Sequence, residues 1–179
     1  MRAERFVGFD TESRPTWSSD VPRTGPHLIQ FALSDRAYVV QAPFGELTEA
    51  LRVILESEDI VKVGFGLKSD RGLLLHSLGA RLHAVVEMTA VLRSLRYKQA
   101  LGVKAAVAIV LGQRLPKSKS VTTSNWANPK LSTRQLEYAA NDAFAALKIF
   151  KAMGSPLPDL SYSESLSSRS RKSSGAKNT

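Results

Sequence analysis

Short apolar runs at Arg5–Thr11, His27–Leu33 and Ala37–Gln41 read as β-strands, and Ser34-Asp35-Arg36 between the last two suits a tight hairpin. Leu47, Leu51, Ile54 and Leu55 fall at helical spacing and predict a helix over Glu46–Ser57. Ile60–Phe65 is the β-branched run of a buried strand; a helix over Ser69–Leu78 and a short strand over Ala84–Glu87 should follow. Helices are then expected over 88–97 and 103–111. In the second, Val103, Ala106, Val107, Val110 and Leu111 share a face, and Gly112 ends it. The longest helix is expected from Thr133 to about Met153, with Ser132 and Gln135 as a capping box and Leu136, Ala140, Ala143 and Leu147 as its apolar stripe. The basic, polar stretch between Gly112 and Leu131 reads as a long loop, which in a compact domain marks function or motion. Three strands in succession, then strands alternating with helices, predict an α/β fold: a mixed central β-sheet flanked by α-helices.

A chain of 179 residues suits one globular domain. Residues 1–160 carry all the predicted elements, and Gly154, Pro156 and Pro158 mark where they end. Residues 161–179 hold eight serines, four Lys/Arg and one Glu, too little apolar surface to offset the entropy of ordering, so a basic, serine-rich flexible tail is expected there. The absence of cysteine excludes disulfides, thiolate zinc sites and a cysteine nucleophile. The longest apolar run, Ala105–Leu111, is far short of the roughly 20 residues of a membrane-spanning helix. The opening MRAERFVGFD lacks the apolar core of a secretory signal. An intracellular, cytoplasmic location without membrane partners is the expectation. Lys and Arg number 25 against 16 Asp and Glu, a formal charge of +9. Such an excess concentrates polyanions at the surface and makes nucleic acid the first partner class to consider.

The candidate chemistry lies in carboxylates. Asp10 and Glu12, in FVGFDTE, sit at the end of the first strand and, being two apart, point to one face. They repel each other unless a cation lies between them, although a solvated strand edge carries such a pair equally well. Asp70 lies where the buried strand turns through glycines into a helix, in VGFGLKSD, a position that suits a helix cap or a metal ligand. Tyr138 and Asp142 are one turn apart on the long helix, beside the small residues of YAANDAFAA, which allow that helix close to the strand carrying Asp10.

FDTE, GFGLKSD and YAAND occur in the order and approximate spacing of the DEDDy 3′–5′ exonucleases, and the chain resembles the branch containing RNase D and the exonuclease domain of the Werner helicase. Lys119, Ser120, Ser124, Asn125 and Trp126, and the stretch LSTRQLEYAANDAFAALKIF, look like the same branch, so the resemblance covers roughly residues 5–153. It implies a ribonuclease H-like fold and a metal-dependent 3′–5′ exonuclease that hydrolyses phosphodiester bonds at the single-stranded 3′ ends of DNA or RNA. By the resemblance, Asp10, Glu12, Asp70 and Asp142 match the carboxylates that hold two divalent cations, Mg²⁺ or Mn²⁺, and Tyr138 matches the tyrosine that orients the attacking water. Thr11 is placed to meet the terminal nucleotide and Lys119 to reach a phosphate. Where the branch often has Arg-Pro-Leu, this chain has Pro129-Lys130-Leu131, with Lys130 as a stand-in for the arginine. Trp126 is expected to anchor its loop or to stack on a base. The alternative function is a non-catalytic nucleic-acid-binding module on the same fold.

Overall fold

The computed structural model describes residues 4–16, 20, 22, 24–94, 100–116 and 118–156. The expected flexible tail and the end of the helix expected over 88–97 lie outside the described residues. The strands are β1 (Phe6–Glu12), β2 (Leu28–Ala32), β3 (Ala37–Gln41), β4 (Val61–Gly64) and β5 (Val85–Glu87), and they form one sheet in the order β3-β2-β1-β4-β5. β1, β2 and β3 pair antiparallel as a meander, whereas β4 joins β1, and β5 joins β4, in parallel. The helices are α1 (Thr48–Glu56), α2 (Asp70–Leu78), α3 (Met88–Ser94), α4 (Val103–Leu111), α5 (Lys119–Thr122) and α6 (Thr133–Ala152). Every strand and every long helix falls within about two residues of its expected limits.

Period-two alternation along β1 splits the core between the two faces of the sheet. Val7 and Phe9 pack with Ile29, Phe31, Leu51, Leu55, Leu74 and Leu78, so α1 and α2 cover that face. On the other, Val61 and Val63 pack with Ala106 and Val107 of α4 and with Ala145, Ile149 and Phe150 of α6. Phe6 meets Phe150 there, with ring centroids 5.0 Å apart. Two residues further along β1 stands Gly8, where an added Cβ would lie 2.0 Å from the Ala143 carbonyl oxygen. Backbone therefore rests on backbone, and α6 runs antiparallel to β1 along the line Phe6–Gly8–Asp10.

Three expectations are corrected. The helix over Glu46–Ser57 begins as a 3₁₀ turn, Gly45–Leu47, and Leu47 is 52% exposed rather than part of the stripe. The loop after Gly112 contains the short helix α5. The buried face of α6 is rotated from the expected stripe: Leu136 is 40% exposed, and Gln135, Tyr138, Ala139 and Asp142 are buried in its place. Gln135 belongs inside because it completes the capping box with Ser132 and also donates to Ser124 Oγ at 3.0 Å.

Lys62 is fully buried on β4 and donates to the carbonyls of Ile54 (3.2 Å) and Ser57 (2.7 Å), closing the C-terminal end of α1. Burial lowers its pKa to about 8.

Gly8→Ala should force α6 off β1 and cost about 3 kcal/mol, the upper range for overpacking a core. A denaturant midpoint equal to wild type would show that the two backbones can part without loss.

Candidate active site

The C-terminal ends of the three parallel strands lie side by side, the place where open α/β sheets bind ligands. β1 ends in Asp10 and Glu12, β4 leads through a glycine turn to Asp70, and β5 ends in Glu87. α6 passes over β1 at Gly8, and the residue before Ala143 is Asp142. As a result, carboxylate oxygens of Asp10, Glu12 and Asp142 all lie within 4.8 Å of one another, the single cluster among the described residues with the ligand types and spacing to hold a metal ion. No histidine joins it.

Asp10 is the electrostatic centre. Burial, and then the charges of Glu12, Asp142 and Asp70, push its pKa well above the usual carboxylate range, against the opposing hydrogen bond from the Thr11 N–H to Oδ1 at 2.9 Å. Asp70 lies outside the three-carboxylate cluster but close enough for its charge to act on Asp10. It opens α2 without capping it: Ser69 stands at the cap position and no side chain closes the end. The helix-cap reading of Asp70 is therefore not realised. Its carboxylate is instead hydrogen-bonded by the Thr11 hydroxyl and by Ser69 Oγ, while burial raises its pKa to about 6.

Glu87 positions Asp70 from behind. One carboxylate oxygen accepts from Gly66 N–H at 2.9 Å and the other from Leu67 N–H at 2.8 Å, clamping the turn between β4 and α2. Gly66 sits at φ +73°, a conformation side chains other than glycine rarely adopt. Glu87 stands outside the candidate carboxylates read from the sequence. The signal was available in its place at the end of the strand parallel to the one that turns into Asp70.

Tyr138 is buried beside Trp126, with ring centroids 5.9 Å apart, and its hydroxyl accepts from Thr122 Oγ1 at 3.0 Å. Thr122 lies on α5, which Lys119 opens; Lys119 itself is exposed. Among the two roles weighed for Trp126, anchoring prevails: it is fully buried against Leu28, Leu131, Tyr138 and Ala139. Asn125 closes the adjoining turn, bonding Ala127 N–H and Asn128, and Gln41 of β3 holds the Asn128 carbonyl at 2.6 Å. The segment that carries α5 is thus fastened to the sheet and to α6.

Alongside Asp70 opens a polar cleft of about 280 Å³, walled by Thr11, Ser13, Arg14, Thr16, Ser69 and Asp70. Its outer wall is the β1–β2 connection, tied at the base by His27. The His27 N–H donates to Glu12 O at 2.8 Å, and Nδ1 accepts from Arg14 N–H at 3.2 Å. Burial and then the Arg14 charge lower the His27 pKa, which favours the neutral, accepting ring.

Residues 1–158 match the 3′-5′ exonuclease family. This chain belongs to that family. The mouse bifunctional 3′-5′ exonuclease/ATP-dependent helicase WRN is 33% identical over 151 residues, 83% of this chain and 11% of that protein. A 3′-5′ exonuclease of Arabidopsis thaliana is 27% identical over 156 residues, 86% of this chain and 54% of that protein. The chain therefore spans from about a tenth to about half the length of these exonuclease relatives. The crystal structure of Trypanosoma brucei RNase D in complex with RNA U12 superposes with a TM-score of 0.72 at 19% identity, over 92% of this chain and 61% of that one. The fold is the ribonuclease H-like fold that the sequence resemblance implied.

The raised Asp70 pKa has a stability consequence. A carboxyl held at about 6 in the native state and near 3.8 when unfolded binds its proton more tightly in the fold. Its stabilisation is complete below about pH 4 and is lost as pH rises through about 6, a swing on the order of 3 kcal/mol. In chelator, the melting temperature of wild type should fall relative to that of Asp70→Asn across this window. Parallel melting curves for the two proteins would contradict the assignment.

Proposed function

We propose that this chain is a metal-dependent 3′–5′ exonuclease that hydrolyses phosphodiester bonds at single-stranded 3′ ends of DNA or RNA and releases nucleoside 5′-monophosphates. The observation that carries the reading is the meeting of Asp10, Glu12 and Asp142 within 4.8 Å in a chain of the exonuclease family.

The donor set fits divalent cations. Its ligands are all carboxylate oxygens, which hard ions such as Mg²⁺ and Mn²⁺ prefer, and their mutual repulsion is the kind that a dication relieves. Asp10, Glu12, Asp70 and Asp142 would hold two such ions, which activate water and neutralise charge on the leaving 3′ oxygen. Tyr138 holds the attacking water in line. Its phenol suits this positioning role better than proton abstraction, since the unperturbed pKa is about 10. Thr122 orients the Tyr138 hydroxyl through the bond already described. Thr11 meets the terminal nucleotide, which enters the cleft beside Asp70, and Lys119 contacts a phosphate. The excess of positive charge supports capture of the polyanion. Among the described residues, no helix is long and apolar enough to cross a membrane; we take the site of action to be cytoplasmic.

Matched DNA and RNA oligonucleotides labelled at either end, incubated with Mg²⁺, with Mn²⁺ and with chelator, test the reading. Mononucleotides should appear from the 3′ end only when metal is present. Binding without product under every metal would make the chain a binding module instead, and turnover in chelator would overturn the metal role. Asp10→Ala and Asp142→Ala should each lower turnover by at least about a thousandfold while single-strand affinity stays within a few fold, because surface charge supplies most of that affinity. Equal losses of binding and turnover would contradict this division. Millimolar Mn²⁺ should raise the melting temperature of wild type by binding the native form preferentially. An unchanged melting temperature would argue against a preorganised site.

A further inference from the structure

Gln30 is at the middle of β2, in register with Asp10 on β1 and with Val39 on β3. Residues opposite one another in an antiparallel pair project to the same face, with Cβ atoms about 5 Å apart. Gly8 lies against Ala143 of α6, so Asp10, two residues on, faces α6, and Gln30 faces it too. The side chain of Gln30 is fully buried, and among the described residues neither its Oε1 nor its Nε2 has a hydrogen-bond partner. A primary amide left in this state bears the desolvation cost of a donor pair and an acceptor with nothing in return. The rest of β2 is apolar: Leu28, Ile29, Phe31 and Ala32, all buried. A methionine or leucine at position 30 would serve packing better. The amide stands in register with a group that has a use for a directed donor, the Asp10 carboxylate, of which Oδ1 already accepts from the Thr11 N–H.

We propose that Gln30 is a positioning residue for the metal site, whose Nε2 donates to the Asp10 carboxylate in the cation-loaded protein and fixes the direction in which Asp10 offers its oxygens. The proposal rests on the metal-dependent reading of the acidic cluster. It makes Gln30 the outer partner of a ligand, a role whose loss typically weakens metal affinity by 10- to 100-fold. A packing role predicts the opposite pattern, with stability lost and affinity kept.

The test uses the full chain as wild type, Gln30→Met and Gln30→Leu, with Mn²⁺ alone as the probe. Metal-free melting temperatures in chelator should be equal to or above wild type for both variants. The Mn²⁺ affinity, read by calorimetry and by the concentration at which melting temperature rises, should weaken about tenfold or more. With metal saturating, kcat should recover more than it does at limiting metal, and KM for the oligonucleotide should not move. Wild-type Mn²⁺ affinity in both variants would overturn the proposal while leaving the exonuclease reading intact. Failure of both variants to fold, or a lower metal-free melting temperature in both, would assign the amide to structure and overturn it likewise. No response of wild type itself to Mn²⁺ would remove the metal site and the proposal together.

Discussion

The Ala143 carbonyl of α6 occupies the space where a side chain on Gly8 would begin, and the meeting of β1 and α6 depends on that contact. Most helices stand off a sheet by the width of their side chains. At Gly8 the distance is set by bare backbone, and Ala139, Ala143 and Ala146 are buried small residues on the same helix. Short side chains have a short reach. Asp10 and Asp142 carry single-methylene carboxylates, and they come within 4.8 Å only because the elements bearing them touch. Bulk at Gly8 or Ala143 would separate the carboxylates before it disturbed either element's own hydrogen bonds.

That proximity is unfavourable by itself. Three acidic groups share one small volume, and burial is the largest cause of the raised Asp10 pKa, ahead of the like charges. At Asp10 the opposing contribution is small. The Thr11 N–H is a single donor to Asp10, and Gln30, the polar side chain in register with it, spends its amide on no one. A fold selected for stability alone would neutralise this corner or fill it with apolar groups. On the proposed metal-dependent reading this strain is what a bound cation would relieve, and the two well-packed clusters on either side of the sheet supply the stability that offsets it.

The sequence made the strands, the long helices and the capping box legible because each rests on a local pattern: apolar runs, a 3.6-residue stripe, or a hydroxyl followed by an amide three residues on. The acidic residues were legible through motif order, since Asp-x-Glu at a strand end says little until Asp142 is known to fold back over it. What escaped the reading is set by tertiary context. Leu136 looks like core and is exposed, whereas Gln135 looks like surface and is buried, because its partner Ser124 comes from another segment. Lys62 interrupts a β-branched run and is fully buried, its ammonium satisfied by carbonyls at the end of α1 that no local rule points to. The α5 helix is one turn with a single apolar residue, Val121, below the length at which periodicity speaks, and it is anchored from outside by the Thr122–Tyr138 bond.

The acidic groups are not equally fixed, and the difference follows from what carries them. Asp10 and Glu12 share the central strand of the sheet, each in register with a residue of β2, and Asp142 sits mid-way along a twenty-residue helix pressed onto that strand. Their backbone positions rest on the pairing of β1 with β2 and on the contact of α6 with Gly8. Asp70 is held differently, at the first residue of a nine-residue helix beyond a glycine turn, and its place depends on the two amide bonds to Glu87 and on the Thr11 hydroxyl. It lies outside the tight cluster and beside the open cleft, so it is the acidic group whose position can adjust at least cost. On the proposed exonuclease reading, a site that binds a charged polymer end, cuts it and releases the product would gain from that asymmetry, with Asp10, Glu12 and Asp142 defining the centre and Asp70 accommodating what enters and leaves.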